Sequence, residues 1–563
     1  MKVVIVGGVA GGATAATRIR RLDEHAQIII IERTGYISYA NCGLPYYIGG
    51  VIENREDLTL QTPESFQSRF QIDVRIKQEV TEVDVEKKLV RIREIENGRV
   101  YEESYDKLLL SPGAKSVKPA LPGIPSDRIF SLRTVEDTVR IREFIENQKP
   151  KSAVIVGGGF IGLETAENLS ESGIQVTVIQ RPKQLMNTLD YDMATLVHAK
   201  LKSRGICLKL GGNVTGFEEK EGRLQVLLKD DVPVLADFVL MAIGVSPETT
   251  LAKQAGLELG VKNAIIVNDK METSIQDVYA VGDAIVVKHS VTGKDALIAL
   301  AGPANKQGRI AADNICGLDS HYKGSMGSSV IKLFDMTVAS TGITEKAAKA
   351  AGIDCGKVVL TPSSHAGYYP GAKMMTMKVV YEKNSLKLLG AQIVGYDGID
   401  KRIDVIAAAI STGMKADELK DLDLAYAPPY SSAKDPVNMA GFMIENLNQG
   451  IIRQFHWDEI DDLPRDGSVI LLDVREEVEY AAGHVEGFIN IPLDSLRDRI
   501  KELEKGKPVY VMCQSGLRSY IACRILMQNG FECFNFSGGY GFYESITGDK
   551  VLTETSYPCG MDK

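Results

Sequence analysis

Two cysteines in this chain stand where sulfur chemistry could be done. Cys42 lies in Ser38-Tyr-Ala-Asn-Cys-Gly-Leu-Pro-Tyr-Tyr-Ile-Gly-Gly50. There Ser38 and Asn41, then Gly43 and Pro45, predict a loop or a helix start and not a core strand. A buried thiol is an inert small hydrophobe, whereas one at a helix start faces backbone N–H groups that favour its thiolate. With a pKa of ~8.5 a free thiol is a few per cent ionised at neutral pH, so a downward shift of ~2 units makes the anion dominant. Cys513 closes an apolar strand, Val509-Tyr-Val-Met, and is followed by Gln-Ser-Gly-Leu-Arg518-Ser. The glycine predicts a turn and the residues from about Leu517 a helix. Such a loop aims successive N–H groups at the sulfur, and the helix dipole adds to their field.

The elements that must position Cys42 come first in the chain. An apolar strand over 2–6 runs into Gly7-Gly-Val-Ala-Gly11-Gly12, then a small-residue helix over 13–21 and a strand over 28–31 ending in Glu32. This is a dinucleotide fingerprint: glycines admit a pyrophosphate, the helix start stabilises its charge, and Glu32 accepts from ribose hydroxyls. Val9 replaces its middle glycine. A cleaner copy follows, with a strand over 153–156, Gly157-Gly-Gly159-Phe-Ile-Gly162-Leu-Glu164, a helix, and a strand over 175–179 ending at Gln180-Arg181. Two fingerprints imply two dinucleotides. Leu-Leu-Leu-Ser111-Pro-Gly113-Ala114 near the end of the first unit has a counterpart in Met241-Ala-Ile-Gly244-Val-Ser-Pro247. Asp277-Val-Tyr-Ala-Val-Gly-Asp283 reads as a strand ending in Gly-Asp, where a carboxylate meets a ribityl hydroxyl.

At 563 residues the chain has room for three or four domains, each with its own core. A net charge of −9 gives no basic footprint for nucleic acid. No apolar run approaches the ~20 residues that span a membrane, and the run at the start is too short for a signal peptide. Eight scattered cysteines form no pair spaced for zinc or for a compact disulfide framework. Free thiols and a cytoplasmic, reducing compartment are the expectation.

On these motifs, residues 1–445 resemble the flavoprotein disulfide reductase superfamily. The resemblance implies an α/β chain with two Rossmann-like domains: FAD-binding at 1–115 and 250–325, NAD(P)H-binding at 116–249. An α+β dimerisation domain follows at 326–450, so a homodimer is expected. Members like glutathione reductase carry a Cys-x4-Cys pair, but here the position five before Cys42 is Ile37. A lone cysteine marks the branch of NADH oxidases, NADH peroxidases and coenzyme A disulfide reductases. Oxidases and peroxidases of that branch carry a histidine in the first glycine turn, where this chain has Ala10. Thr14, Arg18 and Arg21 fall on one face of the first helix, offering a hydroxyl and two cations to a phosphorylated ligand. Asp423-Leu-Ala-Tyr426-Ala-Pro-Pro-Tyr430-Ser-Ser-Ala-Lys434-Asp-Pro-Val-Asn438 resembles the closing loop of coenzyme A disulfide reductases, and Tyr368 matches their other site tyrosine.

By that resemblance Thr14, Arg18, Arg21, Ser38, Asn41, Asn305, Tyr368 and Lys434 contact coenzyme A. Tyr426 lies near the flavin of the dimer mate, where a phenol suits protonation of a departing CoA thiolate. The cofactor set comprises Gly7, Gly11, Gly12, Glu32, Arg33, Gly113, Asp283 and Ala301, with Gly157, Gly159, Gly162, Gln180, Arg181 and Gly244. Gln180 stands where an acid would accept from the 2′-hydroxyl of NADH, and Arg181 suits a 2′-phosphate, so tolerance of NADPH is expected.

After residue 450 the chain restarts. Val469-Ile-Leu-Leu-Asp473-Val-Arg475-Glu, Ala-Gly-His484-Val-Glu-Gly-Phe-Ile-Asn490-Ile-Pro492 and the Cys513 loop resemble a single rhodanese domain over 455–548, with a tail over 549–563. Four residues separate Cys513 from Arg518, a cradle sized for a persulfide sulfur. Cys523 and Cys533 read as core, Cys559 as incidental. The combined expectation is an FAD- and NAD(P)H-dependent reductase of CoA disulfide, CoA persulfide or polysulfide, fed with sulfane sulfur by Cys513 and releasing sulfide. Two alternatives stand beside it: an NADH oxidase cycling Cys42 through sulfenic acid, and a redox or sulfur-carrier protein with little turnover.

Overall fold

The first fingerprint is built on a parallel sheet. In the computed structural model, which describes residues 1–124 and 126–548, the strands Val278–Ala280, Lys107–Leu110, Lys2–Val6, Gln27–Ile31 and Asp73–Arg75 lie side by side in that order. Val3, Val4, Ile5, Ile28, Ile29 and Ile30 are all buried, as unbroken apolar runs in a sheet covered on both faces must be. The helix after the turn, Ala10–Leu22, begins three residues earlier than its small-residue run suggested, because it takes in both glycines at 11 and 12. It buries Ala15, Ala16 and Ile19 and packs along Ala301–Ile315. The strand before Asp283 ends at Ala280, and Gly282–Ala284 is a turn with Gly282 at φ 83°.

The second fingerprint repeats the plan. Cys207–Leu210, Gln175–Gln180, Ser152–Val156, Phe238–Met241 and Ile129–Ser131 form a parallel sheet, and the helix Phe160–Glu171 follows its glycine turn.

By contacts the chain divides into two units, residues 1–185 with 205–327, and 186–204 with 328–563. The second unit thus takes the helix Tyr191–Ser203, which lies in sequence between two strands of the second parallel sheet. Its centre is an antiparallel sheet ordered Ser329–Leu333, Met336–Gly342, Leu388–Gly395, Met375–Glu382 and Cys355–Leu360. The helices Ile399–Ser411 and Pro436–Asn448 cover one face of it with Ile403, Ile406, Val437 and Ile444. Lys378, 1% exposed, sits among Asp190, Asp192 and Glu345 at 3.1, 2.8 and 2.9 Å. Three buried carboxylates around one ammonium is tolerable because Lys357 and Lys349 also reach Glu345, while Gln392 and two backbone N–H groups serve Asp190.

The last part of the same unit is a parallel sheet ordered Gln454–Phe455, Cys533–Phe536, Val509–Met512, Ile470–Asp473 and Ile489–Asn490. It docks on the edge strand Cys355–Leu360. Val359 N–H donates to Ser537 Oγ at 3.0 Å, and Lys357 faces Asp458 at 3.5 Å. An edge strand left bare is a template for unwanted pairing, and this contact closes it. The whole is mixed α/β, as expected, and no helix among the described residues is long and apolar enough to cross a membrane. The tail over 549–563, with Cys559, lies outside the described residues.

Candidate active sites

The two glycine turns have the same anatomy. Gly7 at φ 98° and Gly157 at φ 116° each press so close to the next strand's end that a Cβ would stand 2.1 Å from the carbonyl of Ser111 or Ala242. A Cβ on Gly12 or Gly162 would meet the carbonyl of Gly7 or Gly157 at 2.0 and 2.1 Å. Gly11 is hemmed by Val281 and Ser111. Valine replaces the middle glycine because that position needs no left-handed backbone: Val9 has φ −99° and Gly159 φ −91°. A Cβ on Gly159 would meet nothing within 4 Å, and neither helix start has a side-chain cap. That open, donor-rich space fits a pyrophosphate.

Each second strand ends in a side chain that grips its own turn. Glu32 accepts from Gly8 N–H at 2.9 Å and from Thr34 N–H at 2.8 Å, and Gln180 Oε1 accepts from Gly158 N–H at 3.0 Å. The Gln180 amide donates to Gln184 O, and Arg181 is exposed beside it. Asp283 is engaged by Arg133 at 2.7 Å, near Gly113, where a Cβ would reach the same guanidinium at 3.3 Å. Gly244 adopts φ 107°, Ala301 opens its helix, and Arg33 is an exposed side chain 3.9 Å from Glu248.

Cys42 sits in a single short turn, Asn41–Gly43, before the helix Leu44–Ile48. Ser38 holds this loop to the first glycine turn: its N–H donates to Gly8 O at 2.8 Å, with its backbone in the left-handed region at φ 44°. The expected lowering of the thiol pKa is not what the fold provides. Gly43 N–H turns away to Ala40 O, and Asn41 N–H to Tyr39 O. Cys42 presents surface to solvent, yet the protein around the sulfur is crowded enough that burial pushes the thiol above its usual range. Glu164 adds to that, and Arg133 opposes it. Sequence reasoning passed over Glu164, which ends the second glycine motif. Burial and the nearby Glu167 push its carboxyl to about 7, against the Tyr46 hydroxyl at 3.4 Å. A titratable acid therefore lies near the Cys42 thiol.

Among the residues expected to hold CoA, Thr14 Oγ1 donates to Asn305 Oδ1 at 2.8 Å across the packed helices. Arg18 is tied to Asp313 at 2.7 Å and half-buried, whereas Arg21 is exposed. Arg20, between them, is structural: its guanidinium donates to the carbonyls of Phe70 and Gln71. In the second unit, Tyr368 and Tyr426 meet through their hydroxyls at 2.8 Å, 75% and 47% exposed. Lys434 is exposed one residue before Asp435, whose buried carboxylate binds Arg402 and caps the next helix through Val437 N–H.

Cys513 itself is fully buried in the core of its domain, with its sulfur facing into the loop. Gly516, at φ 94°, turns its N–H to the sulfur at 3.1 Å, Ser519 Oγ donates at 3.2 Å, and the helix Leu517–Gln528 begins there. The loop is braced from behind by Tyr540 N–H on Cys513 O and Gly541 N–H on Gln514 O. Cys523 and Cys533 are buried in the core of this domain. Arg518 is in place, but its guanidinium is held by both oxygens of Glu479 at 2.7 Å, a partner not foreseen from the sequence. Arg475 is likewise paired, with Asp473.

Comparison with known proteins agrees with this division of labour. The family model described as pyridine nucleotide-disulphide oxidoreductase matches residues 1–308, its dimerisation domain residues 328–436, and a rhodanese-like domain residues 456–544. A coenzyme A disulfide reductase of Staphylococcus haemolyticus is 37% identical over 79% of this chain and 100% of its own length. The crystal structure of reduced Bacillus anthracis CoADR-RHD superimposes with a TM-score of 0.95 at 47% identity, covering 98% of this chain and 99% of that one. A NAD-dependent persulfide reductase from A. fulgidus follows at TM-score 0.91 and 37% identity, covering 96% and 100%. The water-forming NADH oxidase of Lactobacillus brevis stands further off, at TM-score 0.77 and 27% identity over 80% and 99%.

Proposed function

The chain belongs to the pyridine nucleotide-disulphide oxidoreductase family, and from that footing we propose that it reduces CoA persulfide and CoA disulfide at Cys42, with sulfane sulfur supplied through Cys513. It is an FAD- and NAD(P)H-dependent oxidoreductase with a fused rhodanese-like domain. The observation that carries the substrate is the isolation of Cys42. It is the only cysteine in residues 1–206, in a loop fastened to the first glycine turn, so the second thiol of a disulfide cycle must arrive with the ligand.

The Cys42 thiolate attacks the CoA sulfur of CoA–S–SH, forming Cys42–S–S–CoA and expelling hydrosulfide; with CoA disulfide it expels CoA thiolate. FAD held at the first glycine turn and NAD(P)H at the second would supply the electron pair needed to reduce this mixed disulfide to two thiolates. Tyr426, held by Tyr368, donates a proton to the departing CoA sulfur. Thr14, Arg18, Arg21, Ser38, Asn41, Asn305 and Lys434 hold the CoA, Arg21 by charge. Gln180 offers a 2′-hydroxyl no carboxylate and Arg181 offers a 2′-phosphate a cation, so both nicotinamides are accepted. The exposed Tyr368 and Tyr426 favour a homodimer in which the mate covers them. We assign FAD binding to segments 1–115 and 250–325, NAD(P)H binding to 116–249, dimerisation to 326–450 and the rhodanese domain to 455–548.

Anaerobic NADH consumption with CoA persulfide and with CoA disulfide tests the reading. Cys42→Ser is expected to abolish both. Full turnover by that variant, or NADH consumption only when oxygen is admitted, refutes it.

A further inference from the structure

Resting on the reading of Cys513 as a sulfur carrier, we infer that Ser537 is a positioning residue for the Cys513 loop. Through it the antiparallel sheet, which lies outside the rhodanese-like domain, holds that loop in its sulfur-accepting shape. The loop does not stand by itself. Its carbonyls at Cys513 and Gln514 accept from Tyr540 N–H at 2.8 Å and from Gly541 N–H at 3.1 Å. Those donors belong to the first turn of the helix Gly539–Gly548, where N–H groups have no partner within their own helix. The loop therefore caps this helix, and a shift of the helix start carries the loop with it. What fixes the helix start is the segment just before it.

Ser537, 2% exposed, donates its own N–H to Phe455 O at 3.0 Å. Its hydroxyl serves the edge strand Cys355–Leu360: it accepts from Val359 N–H at 3.0 Å and donates to Val359 O at 3.4 Å. Thr361, just past that strand, donates to Gly538 O at 3.4 Å. Gly538 and Gly539 then pass through the left-handed region at φ 89° and 76°. A Cβ on Gly538 would stand 3.1 Å from Val359 Cγ1, and one on Gly539 would stand 2.5 Å from both Gln514 O and Ser515 N. The two glycines thus touch the sheet on one side and the Cys513 loop on the other. The same loop carries Gly516, whose N–H reaches the Cys513 sulfur at 3.1 Å. Such a bond weakens steeply as its donor swings out of line. Removing the Ser537 hydroxyl strips Val359 N–H and C=O of their partner and frees the helix start, and the loop it braces, to shift away from the sulfur. The rhodanese-like domain supplies Cys513, Gly516 and Ser519, while the edge strand outside it sets their geometry.

The test is sulfur loading of Cys513 in the full-length holoenzyme from inorganic polysulfide, read as a one-sulfur mass gain on the Cys513 peptide. Iodoacetamide labelling of Cys523 and Cys533, buried in the same core, reports whether the domain is folded. Ser537→Ala is expected to slow loading about tenfold, the scale of one hydrogen bond. Cys523 and Cys533 are expected to stay unlabelled, and NADH-dependent reduction of CoA disulfide to be unchanged. Loading of this variant at the wild-type rate overturns the inference and leaves the sulfur-carrier reading intact. Should Ser537→Ala expose the two core thiols, Thr361→Val, made outside the domain, decides. Slower loading with both thiols protected supports the inference, and loading at the wild-type rate overturns it. Exposed thiols in both variants mark the contact as merely structural and overturn it as well. A wild-type chain that never loads overturns the inference and the sulfur-carrier reading together.

Discussion

The hydroxyls of Tyr368 and Tyr426 lie 2.8 Å apart, joining two exposed loops 58 residues apart in sequence. The hydrogen bond between them holds the Tyr426 pKa above the ordinary phenol value, with a smaller push from burial. The phenol then stays protonated, and able to protonate a leaving thiolate, to higher pH than a lone tyrosine. Tyr368→Phe is expected to lower turnover and to move the alkaline limb of the kcat–pH profile to lower pH. An unmoved limb would separate Tyr426 from the proton transfer.

Glu164 gives the Cys42 site a second pH dependence. Its carboxyl, raised by burial to about 7, is neutral below that value and anionic above it. The anion pushes the Cys42 thiol pKa up, so the thiolate is harder to form just where Glu164 ionises. Glu164→Gln is expected to lower the Cys42 pKa, seen as faster iodoacetamide alkylation of Cys42 between pH 7 and 8. Alkylation at the wild-type rate across that range would contradict it. The same sign governs stability: a raised carboxyl pKa contributes stability below the unfolded-state value that is lost as pH rises through about 7.

Arg21 and Arg18 are expected to differ. Arg21 is exposed and Arg18 is committed to Asp313. Arg21→Ala should raise KM for CoA substrates about ten- to hundredfold, the worth of one charge-assisted phosphate contact, while sparing inorganic polysulfide. Equal losses on both would mark Arg21 as structural.

Lys378 holds Asp190, Asp192 and Glu345 in a buried cluster. Removing one partner of such a set strands the others, so Lys378→Met should cost about 3–5 kcal/mol in denaturant unfolding. A loss under about 1 kcal/mol would mean that water reaches the carboxylates.

Both glycine turns, the Cys513 loop and the lone Cys42 were legible in the sequence because they are local: a strand, a turn and a helix start within ten or so residues. Val9 was ambiguous there, and its negative φ explains why the motif survives it. What could not be read was which distant charge faces which. Arg133 on Asp283, Asp313 on Arg18 and Glu479 on Arg518 are 150, 295 and 39 residues apart. The direction of the Cys42 shift was missed for the same reason. A helix start promised N–H groups, but that turn spends them on its own carbonyls, and Glu164 arrives from another domain-sized segment. The docking edge at Val359 and Ser537, 178 residues apart, likewise has no local signature.

The most direct measurement of the central claim is the mass of the Cys42 peptide after holoenzyme, free of nicotinamide, meets CoA disulfide. The account predicts a CoA adduct on Cys42 that vanishes when NADH is added, with CoA released in equal amount. An adduct on another cysteine, or turnover with no adduct on Cys42, would contradict it.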